Sequence, residues 1–95
     1  MFAHVFHVLN ITYTQPLDVV DQSRPAHLEW LGNLVDERRI LLAGRLESQG
    51  GAVLIASDMS ADEADALTAT DPYVHAGVAT YERVSFNAGF RAAGL

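Results

Sequence analysis

The segment Phe2–Tyr13 is apolar along both of its alternating faces, with Phe2, Phe6 and Val8 on one and Val5, Leu9 and Ile11 on the other. Side chains alternate across a strand, so a strand of this composition has to be covered on both sides. The 95-residue chain has little material for that task. Residues 1–95 are expected to form one domain, since no linker interrupts the hydrophobic pattern, and a chain this short buries only a little over roughly 60% of its unfolded surface. A hydrophobic content of 49% still supplies a core and excludes disorder.

What the chain lacks narrows the chemistry. There is no cysteine, which removes disulfides, thiolate catalysis and cysteine-ligated zinc, and all six basic residues are arginines, which removes a lysine Schiff base and a P-loop. A net charge of -6 without a basic cluster argues against a nucleic-acid partner. The apolar N-terminal run contains His4, His7 and Asn10 and has neither a basic leader nor a small-residue cleavage site, so a cytoplasmic protein without a membrane partner is expected. No cofactor is expected, because no Gly-x-Gly-x-x-Gly, His-x-x-x-His or carboxylate cluster is present.

Beyond the first strand, Thr14–Ser23 with Pro16 reads as a loop. Pro25 opens a helix carrying Leu28, Leu31, Leu34 and Val35 and ending near Arg38. Ile40–Glu47 and Ala52–Ser57 flank Gln49-Gly50-Gly51, where the glycine pair is expected to supply the positive φ of a hairpin. Ser60 with Glu63 forms a capping box for a second helix with Ala64, Ala66 and Leu67 on its apolar stripe, and Asp71-Pro72 ends that helix. Val78–Phe86 alternates as a fourth strand, followed by a tail from Asn87 to Leu95.

The resulting β-α-β-β-α-β order is the ferredoxin-like split motif, an α+β fold. The first and third strands carry no charged residue, whereas the second holds Arg45 and Glu47 and the fourth Glu82 and Arg83, which suits central and edge positions respectively. Two helices cover one sheet face. The other is expected to pair with a second copy in a homodimer; the alternative is that the tail, with Phe90 and Leu95, folds back over it.

His4 and His7 stand an odd number of positions apart on a strand, so they point to opposite faces and cannot share a metal ion. At least one is expected to be a hydrogen-bonded sheet histidine, with a pocket-lining role as the lesser alternative for the other, and His75 reads as a surface residue. His27 falls in the first turn of its helix, whose unpaired N–H groups disfavour an imidazolium, and this suits a general base. The plainer alternative is an exposed histidine at a helix start. Asp71 is by default the N-cap of a short turn, and antiparallel helices would also allow it to meet His27.

Ser23-Arg24-Pro25-Ala26-His27-Leu28, Leu42-Ala43-Gly44, and Asp71-Pro72-Tyr73-Val74 with Gly77-Val78 closely resemble the YciI-like family of small proteins. The resemblance spans nearly the whole chain. It implies a dimeric α/β barrel of ferredoxin-like subunits, similar to muconolactone isomerase, and a metal-free His-Asp site that falls on His27 and Asp71. Its best-defined enzymatic role is removal of HCl from a chlorinated hydroxyhydroquinone in aromatic degradation, by carbon-halide lyase chemistry on a small aromatic substrate. Arg24 or Arg45 would then hold a phenolate or accept the leaving chloride, with Tyr73 and Trp30 as candidate ring-stacking walls, the plainer alternative for Trp30 being simple helix packing. Two features depart from the family pattern: Arg45 stands where many members have proline, and the hairpin after Glu47 is short. Alternatives are a muconolactone-type isomerase using the same pair and a non-catalytic small-molecule binding module.

Overall fold

A computed structural model describes residues 4–95, so Phe2 at the start of the expected first strand lies outside the described residues. The elements are β1 (Val5–Tyr13), α1 (Leu17–Gln22), α2 (Arg24–Asp36), β2 (Ile40–Arg45), β3 (Gly51–Ala56), α3 (Ala61–Thr68), α4 (Pro72–His75) and β4 (Ala79–Asn87). The strands form one antiparallel sheet in the order β2-β3-β1-β4. The two uncharged strands are central and the charged ones are edges, which is the ferredoxin-like arrangement expected from the charge pattern.

One sheet face carries the core. Leu9, Ile11, Ile40, Leu54 and Ala56 pack with Val20, Leu34, Ala64, Leu67 and Tyr73 from the helical layer. Of the expected stripe on α3, Ala64 and Leu67 are buried but Ala66 is exposed, because a helix buries one arc and position 66 falls outside it. The N-cap half of the expected capping box forms, the Ser60 hydroxyl accepting from the Glu63 backbone N–H at 3.1 Å, while the Glu63 carboxylate meets the Ser60 hydroxyl and not its backbone N–H.

The loop expected over Thr14–Ser23 contains helix α1. Its six residues are too few for a readable period, and its two valines are poor helix formers. Tertiary burial decides the matter: Val20 is fully buried, and the Pro16 carbonyl accepts from the N–H groups of Val19 and Val20. Ser23 then joins α1 directly to α2, which begins at Arg24, one residue before the expected start.

The hairpin also differs from expectation. Gln49, at φ +64°, takes the left-handed conformation, and neither glycine of the pair does. Gly51 is required for space instead, since a Cβ there would lie 1.9 Å from the Ile11 carbonyl oxygen. The second strand stops at Arg45 and carries a register irregularity between Ile40 and Leu42.

On the opposite face Phe6 pairs with Phe86 and Val8 with Val84 across β1 and β4. Leu42, Val84 and Phe86 are exposed there. Phe90 in the tail is fully solvent-exposed, and the Gly94 carbonyl accepts from Arg38, so Phe90 covers none of this apolar face. Among the described residues no helix is long and apolar enough to cross a membrane.

Candidate active site

His27 and Asp71 meet. Asp71 caps α4 in the way its sequence suggests, its Oδ1 accepting from the Tyr73 backbone N–H at 2.9 Å. Helix α4 packs against α2, and this contact brings the same Oδ1 within 2.8 Å of His27 Nδ1. The cap and the histidine contact are therefore one arrangement, since the turn that the cap fixes is what aims the carboxylate.

Both residues are buried, His27 at 5% exposure and Asp71 at 0%, so the exposed helix-start alternative for His27 does not hold. Nor does a free helix end surround it. Because α2 begins at Arg24, the His27 backbone N–H already donates to the Ser23 carbonyl, and the imidazole is oriented by Asp71 instead. An ionised carboxylate only accepts, so the His27 hydrogen belongs on Nδ1 and Nε2 presents a lone pair. Among the described residues Nε2 has no protein partner, and no buried side-chain nitrogen or oxygen is left unsatisfied, so this atom reaches solvent.

Aromatic side chains hold the imidazole flat. Tyr73 stacks on it with ring centroids 3.9 Å apart and planes 7° from parallel, and Trp30 lies 5.7 Å away. Trp30 donates to the Thr70 hydroxyl and supports His27 from outside the cleft, so of its two expected roles it takes packing and does not serve as a ring-stacking wall. Tyr81, on the helix-facing side of β4, donates its hydroxyl to Asp71 Oδ2. Asp71 thus accepts three hydrogen bonds through its two oxygens. Burial first, and the hydrogen bond to Asp71 second, raise the Tyr81 phenol well above the usual range. Sequence reading passed over Tyr81; its alternation with Ala79 marks the inward face of β4 but not its partner.

The cleft beside His27 has a volume of about 160 Å³ and lies between α2 and the β2 edge of the sheet. Arg24, Arg45 and Tyr73, the other expected site residues, all line it. Tyr13, Leu28 and Leu31 complete much of the wall. Burial raises the Tyr73 phenol above its ordinary range. Arg45 is committed to Asp21 at 2.5 Å and to the Tyr13 hydroxyl at 3.0 Å, whereas Arg24 is exposed and has no ion-pair or hydrogen-bond partner among the described residues.

The remaining histidines lie apart from this cleft. His4 contacts exposed Asp58 at 2.8 Å, and His7, fully buried, bonds the Ser85 hydroxyl and the Met59 carbonyl, so the two diverge as strand alternation requires. His75 is exposed and contacts the Ala69 carbonyl. No group of three metal-ligating His, Asp or Glu side chains is found among the described residues.

Fold and site together define a small ferredoxin-like α+β protein with a buried histidine-carboxylate pair at the wall of a one-sided cleft. The chain belongs to the YCII-related domain family, whose model matches residues 5–87. A curated relative, a 12 kDa protein of Mycolicibacterium smegmatis, is 67% identical over 24 residues, which is 25% of this chain and all of that sequence. Among solved structures, 5-chloro-2-hydroxyhydroquinone dehydrochlorinase from Burkholderia phenoliruptrix AC1100, in complex with 2,5-dihydroxybenzoquinone, superposes with a TM-score of 0.66 at 22% identity, covering 87% of this chain and 91% of that one. SnoaB, a cofactor-independent oxygenase from Streptomyces nogalater, superposes with a TM-score of 0.54 at 14% identity, covering 99% of this chain and 100% of that one.

Proposed function

We propose that this protein is a lyase that removes HCl from a chlorinated hydroxyhydroquinone, with His27 as the proton shuttle and Asp71 as the group that orients it. The observation that carries the reading is the 2.8 Å contact between the two buried side chains, which leaves Nε2 open beside a cleft of ring size. The fold shared with the dehydrochlorinase supports it, and the substrate class is taken from that protein.

The reaction needs little beyond proton transfer. His27 Nε2 takes a proton from a ring hydroxyl and delivers it to the carbon that bears chlorine, giving a keto tautomer. Chloride then leaves that carbon as a second hydroxyl loses its proton, so the products are a hydroxybenzoquinone and HCl. Positioned acid-base assistance of this kind is worth about 10² to 10⁴ in rate. Arg24, at the wall of the cleft and without a hydrogen-bond or ion-pair partner among the described residues, holds the phenolate that forms. Tyr73 flanks the ring, and Arg45 forms a wall whose donors are largely used within the protein.

The working unit is a homodimer joined through the open sheet face, since burial of Leu42, Val84 and Phe86 offsets the marginal stability of so small a domain. Purified protein incubated with 5-chloro-2-hydroxyhydroquinone should release one chloride per hydroxybenzoquinone formed. Oxygen consumption without chloride release would favour oxygenase chemistry and overturn the lyase reading.

A further inference from the structure

The two arginines of the cleft are in different states. Arg45 leaves the end of β2 and reaches Asp21 in the last turn of α1, with Nη2 2.5 Å from the carboxylate, while its Nε donates to the Tyr13 hydroxyl at 3.0 Å. Its guanidinium carbon lies 5.4 Å from the Tyr13 ring centroid. The side chain is only 19% exposed, and each charge stabilises the other: hydrogen bonding to Arg45 holds the Asp21 carboxyl below its usual range, and Asp21 raises Arg45. The pair therefore ties the helical layer to the sheet edge along the wall that Arg45 and Tyr13 give the cleft.

The size of the space beside that wall is informative. A cavity of about 150 Å³ is enough to hold benzene. At about 160 Å³ the space between the cleft walls matches a single six-membered ring. Widening it on this side means displacing Arg45 or Tyr13, and the bonds of Arg45 to Asp21 and to the Tyr13 hydroxyl hold that wall in place.

We propose that the Arg45–Asp21–Tyr13 clasp determines specificity, closing the cleft to the dimensions of one planar ring. This rests on the reading that the cleft beside His27 is the substrate site. The clasp admits monocyclic enols and phenols and excludes fused bicyclic ones. Arg45 is thus a specificity-determining residue whose role is to form a wall, and the substrate's anionic oxygen is left to Arg24.

Two acidic hydroxyquinones that differ by one fused ring provide the test, 2,5-dihydroxybenzoquinone and 2-hydroxy-1,4-naphthoquinone, with affinities measured by titration calorimetry. The wild-type protein should bind the single-ring compound at least about tenfold more tightly, within the range that pocket size can discriminate. Arg45→Ala and Asp21→Ala, which open the clasp from opposite sides, should each bring the two affinities within about twofold by admitting the naphthoquinone. Circular dichroism and thermal midpoints establish that both variants are folded, and because the two changes lie on different elements, a defect in one leaves the other as the test. An unchanged ratio in folded variants, or equal binding of both compounds by the wild type, overturns the clasp and leaves the cleft as a binding site. Failure of the wild type and both variants to bind either compound overturns the reading of the cleft itself, and the clasp with it.

Discussion

Tyr81 is the residue that most changes the account of Asp71. A buried carboxylate is costly unless its lone pairs are occupied, and here Tyr81, the Tyr73 N–H and His27 occupy them together. Replacing the tyrosine by phenylalanine leaves Oδ2 without its donor, at a cost of about 1 to 3 kcal/mol at neutral pH. The alkaline side provides a second signature. The folded-state pKa of Tyr81 is raised, so its contribution is fully present below the unfolded tyrosine value of about 10 and is lost as the pH rises from there toward the folded value. Urea unfolding at neutral pH and above pH ~10 should show the wild type losing stability more steeply than Tyr81→Phe, which lacks this titrating group. Equal slopes would mean that the Tyr81 phenol is not held by Asp71 in solution.

At the scale of elements, Gly51 fixes how closely β3 approaches β1. Its missing Cβ makes room for the Ile11 carbonyl, so Gly51→Ala must push apart two central strands. A loss of about 3 kcal/mol or more is expected, at or beyond the upper end of ordinary overpacking. Gly50→Ala is the control, since its Cβ would meet only the Ser48 hydroxyl, at 3.6 Å, and it should change the unfolding midpoint little. This hairpin also marks where sequence reading stops. The glycine pair announces the turn, but whether a glycine is needed for φ or for space depends on the neighbouring strand. Helix α1 was hidden for a related reason, being six residues held by one buried valine and no period of its own. The strands, the capped helix α3 and the Asp71 turn were legible because each has a local signal. From the residues themselves the contact of Asp71 with His27 was legible only as a geometric allowance, and it was the family resemblance that paired them; Tyr81 and the Asp21–Arg45 pair were not legible, because their partners lie on separate elements.

For the whole molecule, the proposed homodimer rests on one sheet face being covered by helices while the other, apolar face is left open. Light scattering at micromolar concentration should give about twice the 10.3 kDa chain mass. A monomer under those conditions would remove the dimer from the proposal while leaving the cleft intact, since every residue argued to act there belongs to one chain. The claim on which the account depends is that His27 and Asp71 work as a unit, and a double-mutant cycle on chloride release measures this directly. His27→Ala and Asp71→Asn, each checked for folding, should each lower turnover by about 10² or more, and the double variant should be scarcely worse than His27→Ala, because without the histidine nothing remains for the aspartate to orient. Fully additive losses in the double variant, or near-normal turnover by folded His27→Ala, would contradict the account and leave Asp71 as a turn cap alone.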